Sequence, residues 1–556
     1  DRVGKAVDMS VRRVMGTETE YAVSQRGVDR YNPVRLSFDV VAAAADPRTS
    51  HIRWDYRGED PVNDARGHRL PRAAAHPDML TDEPQLHIVN VIEPNGGRVY
   101  VDHAHPEYSS PETMDPFDAV RYDHAGDLIM AAAARRASAH TGTVIELHRN
   151  NVDGKGASWG THENYMMDRA VPFDRVTALM TAHLVSRQIY AGSGRVGLGE
   201  HSGEAGFQLS QRADYIHMRV GLQTTFDRPI INTRDESHST ARYRRLHVIV
   251  GDANRMDVPQ LLKLGTTSML LWLLEHVQEA GLDFEALMDG LALANPVDAL
   301  HTVSRDLTCA APLALESGES TDAWNMQVRL RGAVYALAAT VYGTDNRGEP
   351  LWPDESTARV MAMWGQALAD VAAVRHADDD ARLTMRDEAS RLEWLLKWQL
   401  MERYRRKRHT GGAPAGAAAA RSGMAGAAAG WDDPRLAALD LAWAALDPGT
   451  SLTERLSASM AHLDGREQVA RAADEPPADT RAWLRAALVR RYPEQTVAAS
   501  WSRLTVRDAS LPSGLRTLDC ADPLAHTRDR CEQAVEESCD AAGLFGALCA
   551  DTGNTR

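Results

Sequence analysis

Cysteine is scarce in this chain, five in 556 residues, and four of them (Cys520, Cys531, Cys539 and Cys549) fall near the C-terminus with no CxxC pair among them. A disulfide framework needs more cysteines and a structural zinc site needs closer spacing, so reduced thiols are expected. Long apolar runs are missing as well. None approaches the ~20 residues that span a bilayer, and the polar opening DRVGKAVDMSVRR lacks the apolar stretch of a secretory signal. Excess positive charge is also absent: 62 lysines and arginines against 77 acids leave a formal charge of −15. Phosphate backbones and anionic membranes select a basic face, so no nucleic-acid or membrane partner is expected. Repeats of solenoid or propeller period are not found. What remains is a cytoplasmic globular protein of ordinary composition, 44% hydrophobic and 25% charged.

The length exceeds one usual domain. From residue 12 to about 250, short strand-like runs such as HVIVG, RVYVDH, TVIELHRN and HMRVGLQTTF are separated by Gly, Pro, Asn and Asp turns. A large sheet with helices is expected there. From MDVPQLLKLG to EWLLKWQLMERY apolar residues recur at helical spacing, which predicts a mostly helical half. Residues 411–430 are almost all Gly and Ala and have too little bulky apolar surface to offset the entropy of ordering them. Beyond them, DPRLAALDLAWAAL and DTRAWLRAALVRRYP read as amphipathic helices of a small C-terminal unit.

In VMGTETEYAV the strand alternation puts Glu18 and Glu20 on one face, roughly 7 Å apart, and Thr17, Thr19 and Tyr21 on the other. Two such carboxylates suit hard divalent cations, which prefer oxygen ligands and share themselves with nucleotide phosphates. A solvated strand face is the plain alternative. Four further segments add to the inventory. RVYVDHAHPEY places Tyr100 and Asp102 on one face, opposite Val99 and Val101, with Glu107 beyond a proline. THENY supplies His162 and Asn164, SQRADY supplies Arg212, and INTRDE with YRRLHVIV supplies Arg234 and His247. Singly each reads more simply as a core or solvated residue; together they can hold cations against a triphosphate and neutralise phosphoryl charge.

Two patterns compete. His103 and His105 form an HxH pair of the kind that binds zinc in amidohydrolases, since alternate strand residues point to one side. GSGRVG at Gly192–Gly197 matches GxGxxG, yet it follows a helical pattern instead of a strand, which argues against a dinucleotide site.

Read together, GTETEY, YVDHAHPEYSSPE, NNVDGKGASWGTHENY, GSGRVG, FQLSQRADYI, IINTRDE and YRRLHVIVGDAN resemble the Pup deamidase and depupylase family of actinobacteria. That family is a sister of the Pup ligase within the carboxylate–amine ligase group related to glutamine synthetase. The similarity continues through LKLGTT, EWLLKWQL, PPADTRAW and AASW. It implies an α+β fold with a glutamine-synthetase-like catalytic domain over 12–408, whose sheet is mixed and mainly antiparallel. An Ala/Gly-rich insert or linker follows at 409–430, then a small helical C-terminal domain at 431–545. It also implies an amidase that deamidates the C-terminal glutamine of Pup and cleaves the Pup–lysine isopeptide bond. The implied partners are Pup and pupylated proteins. The implied cofactors are ATP, or ADP plus phosphate, and Mg²⁺, with the nucleotide not consumed stoichiometrically. Asp102 matches the catalytic aspartate, proposed as nucleophile or as base. Glu18, Glu20, Glu107, His162 and His247 match the metal environment, and Tyr100, Arg212 and Arg234 match positions facing the nucleotide phosphates or the Pup C-terminus. The DHA before HPEYS, where the ligase branch reads closer to DVGSHPEY, and the stretch at about 50–88, similar to an extra loop that the ligase lacks, both resemble the depupylase. A Pup–protein ligase and a zinc amidohydrolase are the alternatives.

Overall fold

Alternation of buried and half-buried residues along Thr161–Asp168 runs without a break, the mark of a strand with a packed back and an open front. The structure, a computed structural model, describes residues 11–71, 89–200, 202–278, 280–410 and 430–552. Six strands pair into one sheet: β1 (Met15–Glu20), β2 (Asn90–Ile92), β3 (Arg98–Asp102), β4 (His105–Ser109), β5 (Thr161–Asp168) and β6 (Tyr243–Val248). Their spatial order is β6-β5-β1-β4-β3-β2, and every pairing is antiparallel. Parallel pairs join Met218–Gly221 to Pro229–Asn232 and Thr496–Ala499 to Arg53–Trp54.

Helices α1 (Pro33–Ala44) and α2 (Pro116–Thr141) cover the back of β1, β3 and β4. Asp115 caps α2 by accepting from the Phe117 N–H, Pro116 opens its first turn, and Gly142 ends it in the left-handed region at φ 71°. Helix and sheet approach closely because α2 carries Gly126, where a Cβ would lie 2.2 Å from the Tyr108 ring. The back-facing hydroxyls of β1 also find partners on α2. Thr17 and Thr19 donate to Asp123 at 2.7 and 3.2 Å, and Tyr21 donates to Asp127 at 2.8 Å. Fully buried Arg149 pairs with both aspartates. Removing one member of such a network costs about 3–5 kcal/mol, because it leaves a buried charge uncompensated.

The helical half is as the spacing predicts. Helix α3 (Asp257–His276) is buried on almost every side and lies in the main core, flanked by helices Ala323–Tyr342 and Glu355–Arg375. A small hairpin, Leu313–Ala314 with Ser320–Thr321, interrupts it.

The C-terminal part departs from the helical expectation. Residues Thr496–Ala499, Arg503–Arg507 and Leu515–Asp519 are strands of a four-stranded sheet whose edge is Arg53–Trp54 from the first half of the chain. Runs of four or five residues are too short to carry a readable period. Helix Pro434–Ala444 joins the main core through Leu436 and Trp443. A separate core gathers Leu484, Leu488, Leu504, Val506 and Phe545 with Ile52, Trp54 and Ile92. Periodicity shows that a helix has an apolar face but not which core that face meets. The stretch expected as a loop at about 50–88 is thus built into this second sheet at its start, and its residues 72–88 lie outside the described residues. Residues 411–429 of the Ala/Gly insert lie outside them too. Among the described residues no helix is long and apolar enough to cross a membrane.

Candidate active site

The open front of the sheet collects the chemistry because the strand register aligns it in rows. Glu18 on β1 stands opposite His162 on β5, and Glu20 stands opposite Glu107 on β4, which in turn stands opposite Tyr100 on β3. Directly paired residues have Cβ atoms roughly 4.5–5.5 Å apart, so these rows place polar groups within ligand distance of one another. His247 follows on β6, opposite Asn164. These residues, with Asp102, Arg234 and Arg245, line one cavity, except that Glu20 and Asn164 sit just beyond its wall.

Two clusters result. Glu18, His162 and His247 each offer one ligand atom within 4.8 Å of the others, and so do Glu20, Asp102 and Glu107. In the first, His162 Nδ1 lies 3.2 Å from Glu18, and the Arg245 guanidinium lies 3.6 Å from the same carboxylate. Burial pushes the Glu18 carboxyl up, but the His162 hydrogen bond and the Arg245 guanidinium outweigh it and hold it well below the carboxylate range. His247 moves the opposite way for an imidazole: burial, then Arg245, keep it neutral far below its ordinary value. Its Nδ1 faces Asn164 Oδ1 at 3.0 Å, an oxygen that also accepts from Arg245. The proton therefore sits on Nδ1, and the Nε2 lone pair, buried and without a partner among the described residues, is left for a ligand.

In the second cluster Glu107 is pushed well above the usual carboxylate range by burial and by the negative charges of Asp102, Glu20 and Glu18. Two full charges within 4.8 Å of each other repel by at least roughly 3 kcal/mol at an effective dielectric near 20. A hard divalent cation removes that repulsion, and an all-oxygen set suits it. The donor sets thus fit two cations, the nitrogen-bearing set accepting a transition ion such as Mn²⁺ more readily than Mg²⁺. Glu20 is steered by the Gly160 N–H, which donates to Oε1 at 2.7 Å, and by His105 at 3.2 Å from Oε2.

Asp102 differs from its neighbours in being 40% exposed, at the end of β3. Burial of its inner side raises its pKa, but His103, 3.0 Å away, and then His162 and Arg234 prevail and hold it below the ordinary range. The two histidines of the HxH pattern do not act as a pair. Asp102 pairs with His105 across a two-residue turn, and His103 sits in that turn at φ 51°, so the two histidines do not share a strand face. His103 turns to Asp102 and His105 to Glu20, and neither belongs to a three-ligand cluster among the described residues. GSGRVG runs from the end of helix Gln188–Ala191 into the short strand Arg195–Gly197, with no helix starting in it.

Of the expected arginines, Arg234 reaches the cavity, its Nε buried and without a partner among the described residues. Arg212 does not. Its guanidinium is committed to Ser158 Oγ at 3.0 Å, Trp159 O at 2.7 Å and Ile249 O at 3.0 Å, so it fixes the wall behind the cleft. Burial and the nearby Arg228 push it down to about 9. The sequence pattern left Arg98 without a role and put Arg245 beside His247 opposite the apolar face without assigning it to the site. Arg245 could have been found as the alternate partner of His247 on β6. Arg98 lies with its guanidinium carbon 4.0 Å from the ring centres of both Tyr100 and Trp54, which ties the site strand to the C-terminal sheet. Trp54 meets Trp501 edge-on at 5.1 Å, an alignment of distant segments that no local pattern announces.

A family model described as Pup-ligase protein matches residues 13–505. The chain belongs to this family. Within it, the Pup deamidase/depupylase of Mycobacterium tuberculosis is 41% identical over 499 residues, 88% of this chain and 90% of the relative. The depupylase of Acidothermus cellulolyticus is 39% identical over 540 residues, 95% and 98% of the two chains. A Pup–protein ligase of Micrococcus luteus is 36% identical over 437 residues, 76% and 84%. Among solved structures, the Pup ligase PafA in complex with ADP matches with a TM-score of 0.64 at 28% identity, over 80% of this chain and 89% of that one. The complex between Pup and its ligase PafA matches with a TM-score of 0.72 over 99% of both chains, at 24% identity, and supports the α+β fold of the Pup-ligase family.

Proposed function

We propose that this member of the Pup-ligase family is a Pup deamidase and depupylase, a hydrolase of carbon–nitrogen bonds that binds nucleotide. The observation that carries the reading is the gradient of similarity within the family. Identity is 41% across 88% of the chain to the deamidase/depupylase and 36% across 76% to the ligase. Both reactions of the amidase meet the same carbon, the carboxamide carbon at the Pup C-terminus, so one cleft serves both.

Glu18, His162 and His247 would hold one divalent cation and Glu20 with Glu107 a second, Mg²⁺ being the expected ion and ATP or ADP plus phosphate the expected nucleotide. Bound there, the cations supply positive charge against the nucleotide phosphates and the substrate carbonyl. Arg234 adds a guanidinium from the facing wall. Asp102, at the exposed end of β3, is the reacting carboxylate. His103 keeps it ionised at neutral pH, and a carboxylate held below its ordinary range is a weak proton acceptor. The same shift weakens it as a nucleophile, so direct attack on the carboxamide carbon and activation of water are the two routes open to it. In the attack an Asp102 oxygen bonds to that carbon, the carbon–nitrogen bond breaks as the nitrogen takes a proton from solvent, and ammonia or the lysine amine leaves; water then hydrolyses the resulting mixed anhydride, which frees Asp102 and the Pup glutamate as carboxylates and returns that proton and a second one to solvent.

The test is to incubate the protein with glutamine-ended Pup and with a pupylated protein, with and without nucleotide, and to identify products by mass spectrometry. Ammonia loss and free substrate that depend on nucleotide support the reading. Stoichiometric ADP release with attachment of Pup to lysines would replace it by the ligase.

A further inference from the structure

The floor of the cleft is charged, but an aromatic ring stands at its mouth. Phe226 lines the same cavity as Asp102, His103 and Arg234 and is 61% exposed. Scattered exposed apolar side chains are ordinary, so the argument rests on where this one is held. Its loop is anchored beside the site: Arg228 Nε donates to Thr224 O at 3.0 Å and Nη2 donates to Ser158 O at 2.7 Å, on the segment that leads into β5. Asp227 takes a left-handed φ of 45°, and Pro229 then enters the strand Pro229–Asn232. The ring is therefore presented by a loop that Arg228 holds against the Ser158 segment, in the same cavity as the reacting carboxylate.

The two reactions proposed for the site share their acyl half and differ in what leaves. Deamidation releases ammonia, whereas isopeptide cleavage releases a lysine, whose four methylenes lead away from the scissile bond. Apolar methylenes gain by covering an aromatic face, and the freed ammonium is attracted to it. We infer that Phe226 is the platform for the lysine arm of the leaving group, a specificity-determining residue for isopeptide cleavage that plays no comparable part toward ammonia. The inference rests on the proposed amidase reading.

Three Pup substrates test it: the terminal glutamine amide, its N-methyl amide, and the isopeptide to Nα-acetyl-lysine. With Phe226→Ser, the ratio of kcat/KM for the acetyl-lysine isopeptide to that for the glutamine amide should fall about tenfold, or ~1.4 kcal/mol. The N-methyl amide, which lacks the arm, should follow the glutamine amide. Phe226→Trp should restore the ratio. If wild type cleaves all three and the ratio in Phe226→Ser is unchanged, the inference falls and the amidase reading stands. If wild type cleaves none of them, the reading falls and takes the inference with it.

Discussion

His162 on β5 stands opposite Glu18 on β1 in the antiparallel register, and its Nδ1 lies 3.2 Å from the Glu18 carboxylate. With His247 Nε2 left open beside them, this pair forms a donor set that would hold a cation with each ligand already oriented. Glu18→Gln removes the charged ligand while keeping its shape. The Mg²⁺ concentration for half-maximal ammonia release should rise at least about tenfold, the scale seen on loss of metal-site partners. In the wild-type protein Mn²⁺ should reach half-maximal activity at lower concentration than Mg²⁺, because imidazole ligands favour the softer ion. Metal titrations of both proteins check this, and an unchanged Mg²⁺ requirement in the variant removes Glu18 from the site.

Asp102→Asn keeps the size of the side chain and removes its ability to attack or accept a proton. Ammonia release should drop by on the order of 10²–10⁴-fold or more, while Pup binding measured by fluorescence anisotropy changes little. Retention of full activity would place the reacting group elsewhere.

The strand residues of the site were legible because alternation fixes which side chains share a face. Glu18 with Glu20, Tyr100 with Asp102, and His247 apart from Leu246 and Val248 all fall where a period of two puts them. Alternation fails where the chain turns, and for that reason the HxH pair misled: His103 belongs to the turn between β3 and β4. It is also blind to what a long side chain does once packed. Arg212 was expected at the phosphates, yet backbone carbonyls of Trp159 and Ile249 hold it in the wall. The C-terminal strands were missed because part of their sheet comes from Arg53–Trp54, over 400 residues away in sequence.

Gly160 tests the orientation of the same histidine from the other side. A Cβ built there would lie 2.1 Å from His162 Nε2. Gly160→Ala should therefore turn the ring away from Glu18 and shift the Gly160 N–H that Glu20 accepts. Metal dependence should weaken in the same sense as in Glu18→Gln, with thermal stability nearly unchanged because the back face of the sheet is untouched. A loss of stability without a change in metal dependence would make Gly160 a folding residue only.

Glu112 joins the catalytic sheet to the C-terminal unit. It accepts from Arg481 at 2.8 Å and pairs with Arg485, and Arg481 also donates to His238 O at 2.7 Å, at the rim of the cleft. Burial raises the Glu112 carboxyl, but the two arginines prevail and bring it down to about 2 from 4.5. A carboxyl depressed on folding contributes stability that is full above its unfolded value, near 4.5, and is lost as pH falls towards 2. The shift corresponds to about 3 kcal/mol. Glu112→Gln should lower the first unfolding transition in urea at pH 7 by a similar amount, about 3–5 kcal/mol if both arginines stay buried without a counter-charge. The difference between wild type and variant should then narrow as the pH is lowered from 5 to 3. A gap that holds constant over that range would mean that Glu112 acts through its shape and hydrogen bonds and not through its charge.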